Sequence, residues 1–241
     1  MTHWIIPDWP APLNVRAATT LRTGGFSQAE FSSLNPADHV QDNPVHVFKN
    51  RQQITRMLGL PSDPVWLQQT HSVDVICADQ TAQALLADAS YTHQKNVVCT
   101  VLTADCLPVL LCDLQGTTVA AIHGGWRGLL NGIVENAVAK MPEAEIVAWL
   151  GPAIGPYCFE VGQDVYDLFI NKSRQFTGVF TQQSSGKYLA DIYQMARIIL
   201  NNAGVQKIYG GQFCTVTDTE RFFSYRRDGQ TGRMATLIWM E

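Results

Sequence analysis

Four short apolar runs constrain this chain more than any other feature: VVCTVL at 97–102, LPVLLC at 107–112, TVAAI at 118–122 and IVAWLG at 146–151. Polar or glycine-containing elbows bound each run, and roughly four to eight apolar residues is the length of a strand buried on both faces. A chain with several such strands must stack them and cover the remaining apolar faces with amphipathic helices. Helical spacing is present where that cover is needed. Val47, Phe48, Ile54 and Leu58 share one side of a segment from about 45 to 58, behind Pro44. Leu129, Leu130, Ile133, Val134, Ala137 and Val138 do the same over 126–141. Further helices are predicted over 161–171 and 189–202, the second ended by Gly204. VWLQQTHSVDVICA, after Pro64, reads as a strand pair turning near His71, and the tail RFFSYRRDGQTGRMATLIWM as a hairpin around Asp228-Gly229. Strands and helices mix without strict βαβ alternation, and no G-x-G-x-x-G is present. The expected fold is therefore α+β, with layered mixed β-sheets flanked by helices. No repeat or linker divides residues 1–241, which points to a single domain.

Charge narrows the function classes. A net charge of −4 argues against a protein that holds nucleic acid through its overall field, so an anionic substrate must be gripped by a local basic cluster. The N-terminal MTHWIIPDWPAP has no basic segment, and Pro7, Pro10 and Pro12 interrupt it, unlike a secretion signal. No run is long enough for a membrane span. Six cysteines are spread through the chain without a C-x-x-C pair, which suits reduced thiols in the cytoplasm. A monomer is the default expectation.

Three residues stand at strand edges beside glycine or small polar neighbours: His71 in QQTHSVDV, Cys106 in TADCLPVLL and His123 in AAIHGGWRG. Side chains at such edges face clefts while the backbone stays rigid. Thiolate and imidazole suit Zn²⁺, and three protein ligands with an open fourth position describe a catalytic zinc site. Spacing alone does not decide the matter. A lone Cys in an apolar run is usually a core residue, and the three positions are too far apart to form a compact zinc motif.

The segments TADCLPVLL, HGGWRGLLNGIVENAV, WLGPAIGPYCFEVG and FFSYRRDGQTGRMA, in this order, resemble the YfiH-type family. That family has been described both as laccase-domain polyphenol oxidases and as multi-substrate purine nucleoside phosphorylases. The resemblance runs from TLRTGG near residue 20 to the last strand, and it places the family's metal-binding trio on His71, Cys106 and His123. It implies zinc, with copper possible by substitution. It also implies phosphorolysis of inosine, adenosine, guanosine and methylthioadenosine, and hydrolytic deamination of adenosine. Three positions depart from the family's pattern: Gly124 replaces a common Ala, Pro36-Ala37 replaces a Leu-Gly pair, and Gln41 replaces a Gly. All three touch loop shape and leave the trio intact.

Candidate substrate-binding residues are Arg22 in TLRTGG, Arg51 in KNRQQ, Arg127 at the start of a helix, and Arg226 beside Tyr225. Arg127, with Gly124, Gly125 and the helix N-terminus, suits phosphate; the glycines equally suit close strand–helix packing. Arg51 is favoured as a base contact, although on a helix it equally reads as a surface charge. Arg226 suits stacking on a purine, and also simple solvation. Asp105 is a candidate general acid/base or partner of the metal ligands, and also a turn former. Two rival enzymes draw on the same residues: a Cys/His amide hydrolase editing cell-wall precursors, with Cys106 as nucleophile and His123 as its base, and a copper-dependent polyphenol oxidase. The chain's six histidines are too few for a true multicopper oxidase. A non-catalytic zinc module needs a fourth protein ligand, for instance Cys158.

Overall fold

The computed structural model describes residues 3–80 and 85–241. Two sheets carry the architecture. A four-stranded sheet has the order Trp4–Ile5, Val15–Thr20, Met234–Met240, Cys99–Thr103, and every neighbouring pair is antiparallel. A six-stranded sheet has the order Lys207–Gly210, Ile146–Leu150, Leu107–Asp113, Val119–Gly124, Ala89–Thr92, Val75–Cys77. Only its two outer pairs are parallel.

The apolar runs sort their side chains by strict alternation. Leu110, Cys112, Val119, Ala121, Val147 and Trp149 face the other sheet, where they meet Cys99, Val101, Ile238 and Met240. Leu107, Val109, Leu111, Ala120, Ile122, Ala148 and Leu150 face the opposite way, onto helices Trp126–Asn131, Ile133–Val138 and Ile192–Asn202. The outer face of the smaller sheet, with Leu102, Leu237 and Trp239, is covered by Ile54, Met57 and Leu58 of helix Pro44–Leu58. The result is helix, sheet, sheet, helix. It is the layered mixed fold expected from strands whose two faces are both apolar.

The first helix begins as its sequence directs. The Asn43 side chain accepts from Val45 N at 2.9 Å, Pro44 follows at the first helical position, and Gly59 closes the helix in the left-handed region.

Three local expectations are corrected. The segment 126–141 is two short helices, because Gly132 adopts φ 105° and interrupts the ladder. Strand Val75–Cys77 pairs with Ala89–Thr92 and not with Leu67–Gln68, so the residues around His71 form a loop rather than a hairpin. The tail is not a hairpin either: Tyr225–Asp228 is one helical turn, and only Met234–Met240 is a strand.

Candidate metal centre and its cavity

The elbow Thr103–Cys106 carries the chain from the smaller sheet to the larger one, so Cys106 lies at the seam between them. His123 sits on the neighbouring strand opposite Pro108. His71 comes from the loop before Val75–Cys77. Their ligand atoms all lie within 4.8 Å of one another, and Cys106 Sγ is 3.7 Å from His71 Nε2. His123 is buried, Cys106 half-buried and His71 exposed, so the trio opens to one side. All six cysteines are free thiols.

The residue that organises this trio is one the sequence reading did not single out. Asp88 is fully buried, and its carboxylate accepts from His123 Nδ1 at 2.7 Å. It also accepts from three successive backbone N–H groups, those of Thr70 (3.1 Å), His71 (3.0 Å) and Ser72 (2.6 Å). These bonds hold His71 at φ 61°, a left-handed conformation that a non-glycine residue rarely adopts without such support. One carboxylate therefore orients one histidine and fixes the loop of the other. Burial opposes its ionisation, but the bonds to His123 and Ser72 outweigh that and bring its pKa down to about 2. The only local signal is a lone Asp at the entrance of a buried strand, which is too common to single out.

Electrostatics inside the trio are mutual. Burial alone raises the Cys106 thiol, yet the adjacent His123 and hydrogen bonds from both histidines bring it down to about 6. Burial alone lowers His123, yet Cys106 and Asp88 raise it to about 9. The pair favours thiolate and imidazolium, which is the charge distribution a cation replaces when it takes the proton's place.

The donor set fits a metal ion. With metal–sulfur and metal–nitrogen bonds of about 2.3 and 2.0 Å, tetrahedral ligands stand roughly 3.5 Å apart, and the Cys106–His71 separation of 3.7 Å lies near that value. Asp88 on the far nitrogen of His123 supplies the carboxylate–histidine contact that fixes the tautomer of a metal ligand. Gly125 completes the cradle: a Cβ there would lie 2.8 Å from His71 Cδ2 and 3.3 Å from Cys106 Sγ. Among the described residues, no second cluster of this kind is present.

Two cavities meet at the trio and share His71, Ala104, Cys106 and Tyr225. One, of about 310 Å³, is lined further by His39, Gln69 and Arg233. The other, of about 260 Å³, is lined by Trp126, Arg127, Ile154, Phe159, Ile192 and Arg226.

The predicted arginines divide between cavity and scaffold. Arg127 lies over the Trp126 ring at 4.2 Å, and Arg226 donates to the carbonyls of Cys158 and Glu160; both line the second cavity. Arg22 and Arg51 line neither. Arg22 donates to Ser32 O and Thr219 O, while Arg51 donates to Pro36 O, pairs with Asp38 at 3.0 Å and stacks on Trp66. Both hold the loop that brings His39 to the first cavity. Asp105 lines the second cavity as well, and it accepts from Thr215 Oγ1 and from Arg226 N, each at 2.6 Å, which pins the elbow. Helix Trp126–Asn131 is a six-residue segment, too short to offer the anion site expected of it.

Residues 16–241 match the family described as multi-copper polyphenol oxidoreductase laccase. The chain belongs to this laccase-like YfiH family. It is 50% identical over the full length of both chains to a protein named purine nucleoside phosphorylase YfiH from Escherichia coli, and 49% identical, again over both full lengths, to one named purine nucleoside phosphorylase from Pseudomonas aeruginosa. Among solved structures, a Neisseria meningitidis family member superposes with a TM-score of 0.96 at 48% identity over the whole of both chains. A Bacillus licheniformis YfiH protein does so with 0.88 at 32%, covering 94% of this chain and 93% of that one. The family's departures are legible here: Gln41, where a glycine is common, stands at φ 71°, and at Gly124 a Cβ would approach Leu107 O to 2.9 Å. No helix among the described residues is long and apolar enough to cross a membrane.

Proposed function

We propose that the chain, acting as one domain over residues 1–241, is a zinc-dependent purine nucleoside phosphorylase. The single observation that carries the reading is the open His71/Cys106/His123 cluster at the junction of two cavities. Its homologues' names supply the reaction class. In phosphorolysis a phosphate oxygen forms a bond to C1′ of the ribose while the C1′–N9 bond breaks. The electron pair leaves with the purine, which takes up a proton, and ribose 1-phosphate is the second product.

The second cavity, whose Trp126, Ile154, Phe159 and Ile192 form an apolar wall, suits the purine. Arg127 and Arg226 at its edge suit the negative charge that develops on the departing base. His71, Cys106 and His123 would hold zinc, with Asp88 fixing His123. When bound, the ion would supply an electrophile at the junction of the two cavities. Arg22 and Arg51 act through the loop they hold, and Asp105 through the elbow. The proposed substrates are inosine, adenosine, guanosine and methylthioadenosine. Adenosine is also proposed to undergo hydrolytic deamination, in which water replaces the C6 amino group and ammonia leaves. The protein is proposed to work in the cytoplasm as a monomer, with copper able to occupy the site in place of zinc.

The test is an assay of inosine with and without phosphate on metal-analysed protein. Hypoxanthine release that requires phosphate and is lost in His71→Ala supports the reading, whereas its absence in zinc-loaded protein removes inosine as substrate.

A second reading is favoured by one observation: Cys106 Sγ lies 3.7 Å from a histidine nitrogen and carries a lowered pKa. Without metal, this pair has the composition of a cysteine amide hydrolase acting on cell-wall precursors. Hydrolysis of such amides by metal-free protein, suppressed by added zinc, is its signature.

A further inference from the structure

The first cavity holds a cation without a carboxylate partner. Arg233 is half-buried at its floor, and the contacts of its guanidinium are to main-chain carbonyls, Thr231 O at 2.8 Å and Gly232 O at 3.0 Å. Among the described residues, no Asp or Glu pairs with it, whereas Arg127 and Arg226 of the second cavity lie over the Trp126 and Phe159 rings. A second basic side chain faces the same space. His39 stands at the rim, about half exposed, with Asp38 at 3.7 Å, and that carboxylate is also paired with Arg51. Burial, and then the charges of Arg233 and Arg51, hold His39 below its usual pKa against the opposing pull of Asp38. Asp105 and Cys106 are the nearest acidic groups to Arg233, and both are committed elsewhere: Asp105 to Thr215 and Arg226, and Cys106 to the trio.

Desolvating a guanidinium without a counter-ion is costly unless an anion joins it. The backbone supports the site independently of the side chain. Arg233 N donates to Asn35 Oδ1 at 3.0 Å, which ties the arginine to the loop that carries His39. Asn50 anchors the same loop through Ser27 Oγ, Ser33 O and Asn35 O. Loop and cation are thus built as one unit.

We propose that Arg233 and His39 form the subsite for a tetrahedral oxyanion, which under the phosphorylase reading on which this rests is the attacking phosphate, and in the reverse direction the phosphate of ribose 1-phosphate. This moves the phosphate away from Arg127 and the start of helix Trp126–Asn131. It places the nucleophile on one side of the trio and the purine on the other, so that C1′ lies between the two cavities.

Two measurements test this. In steady-state phosphorolysis by the zinc-loaded protein, Arg233→Gln raises the phosphate KM at least about ten-fold while changing the inosine KM little, and Arg233→Lys restores part of the loss. An unchanged phosphate KM in folded Arg233→Gln overturns the proposal and leaves the phosphorylase reading intact. The second measurement needs neither turnover nor a variant. Inorganic phosphate titrated into the wild-type zinc-loaded protein shifts the His39 ring resonances in a saturable way. Saturable shifts in a zinc-loaded protein that leaves inosine, adenosine and guanosine intact sustain the subsite and sink the phosphorylase reading. No shift at His39 through the millimolar range overturns the subsite.

Discussion

The carboxylate of Asp88 accepts a hydrogen bond from His123 Nδ1 at 2.7 Å and, through the same oxygen, one from the backbone N–H of His71 at 3.0 Å. One buried side chain thereby couples the orientations of two candidate metal ligands that lie far apart in the sequence. Removing its charge is expected to loosen both. Asp88→Asn lowers zinc affinity about 10- to 100-fold, the usual cost of losing the carboxylate behind a ligating histidine. Competition with a chromophoric chelator measures it; unchanged affinity removes Asp88 from the account.

The same carboxylate gives the metal-free protein an acid-dependent stability. Its folded pKa of about 2 lies below the ordinary value of 3.8, so the stabilisation is fully present above about pH 4 and is lost as pH falls toward 2. The shift corresponds to about 2 kcal/mol. Denaturant midpoints of wild type and Asp88→Asn, measured across that window, converge as pH falls. Parallel curves contradict the prediction.

Gly125 tests the cradle by steric means alone. Its φ of −65° and ψ of 155° suit any residue, so Gly125→Ala introduces no backbone strain. The added methyl meets the His71 ring and the Cys106 sulfur instead. The far-UV circular dichroism stays that of wild type, zinc per chain falls, and activity falls at least about ten-fold, because displaced ligands lose coordination geometry. Full zinc occupancy in this variant overturns the ligand assignment.

Cys106 is a thiol that metal-free protein offers to electrophiles at neutral pH, beside the half-buried Cys214, whose pKa, against the effect of burial, hydrogen bonds from Thr217 also lower. The Cys106 pKa of about 6 makes its thiolate fraction rise through that value, whereas burial pushes Cys99 and Cys112 to about 12. Peptide mapping after brief iodoacetamide treatment shows Cys106 labelled with a midpoint near pH 6, and zinc abolishes the labelling. A midpoint near the ordinary thiol value contradicts the thiolate–imidazolium pair.

The layers were legible in the sequence because runs such as LPVLLC and TVAAI are apolar on both faces, and only stacked layers bury both. The cluster of His71, Cys106 and His123 was legible from strand edges and from the family resemblance together, but neither points to Asp88. Asp88, Arg233 and His39 were not legible. Their meaning depends on which loops the two sheets bring to one seam, and pairing over long sequence distances leaves no local pattern. Arg22 and Arg51 illustrate the converse. Each stands in a motif-like context, yet each is used to hold the loop of residues 32–38. The tail misled for a local reason: Asp228-Gly229 looks like a hairpin turn, but Ser224 caps a helical turn there by accepting from Arg227 N.

The most direct test of the central claim combines composition and turnover in one sample. Protein purified without added metal is analysed for zinc per chain and assayed with inosine, with and without phosphate. One zinc per chain and strictly phosphate-dependent formation of hypoxanthine and ribose 1-phosphate, both lost in Cys106→Ala, are the predicted result. Zinc-loaded protein that leaves inosine, adenosine and guanosine intact in the presence of phosphate would contradict it.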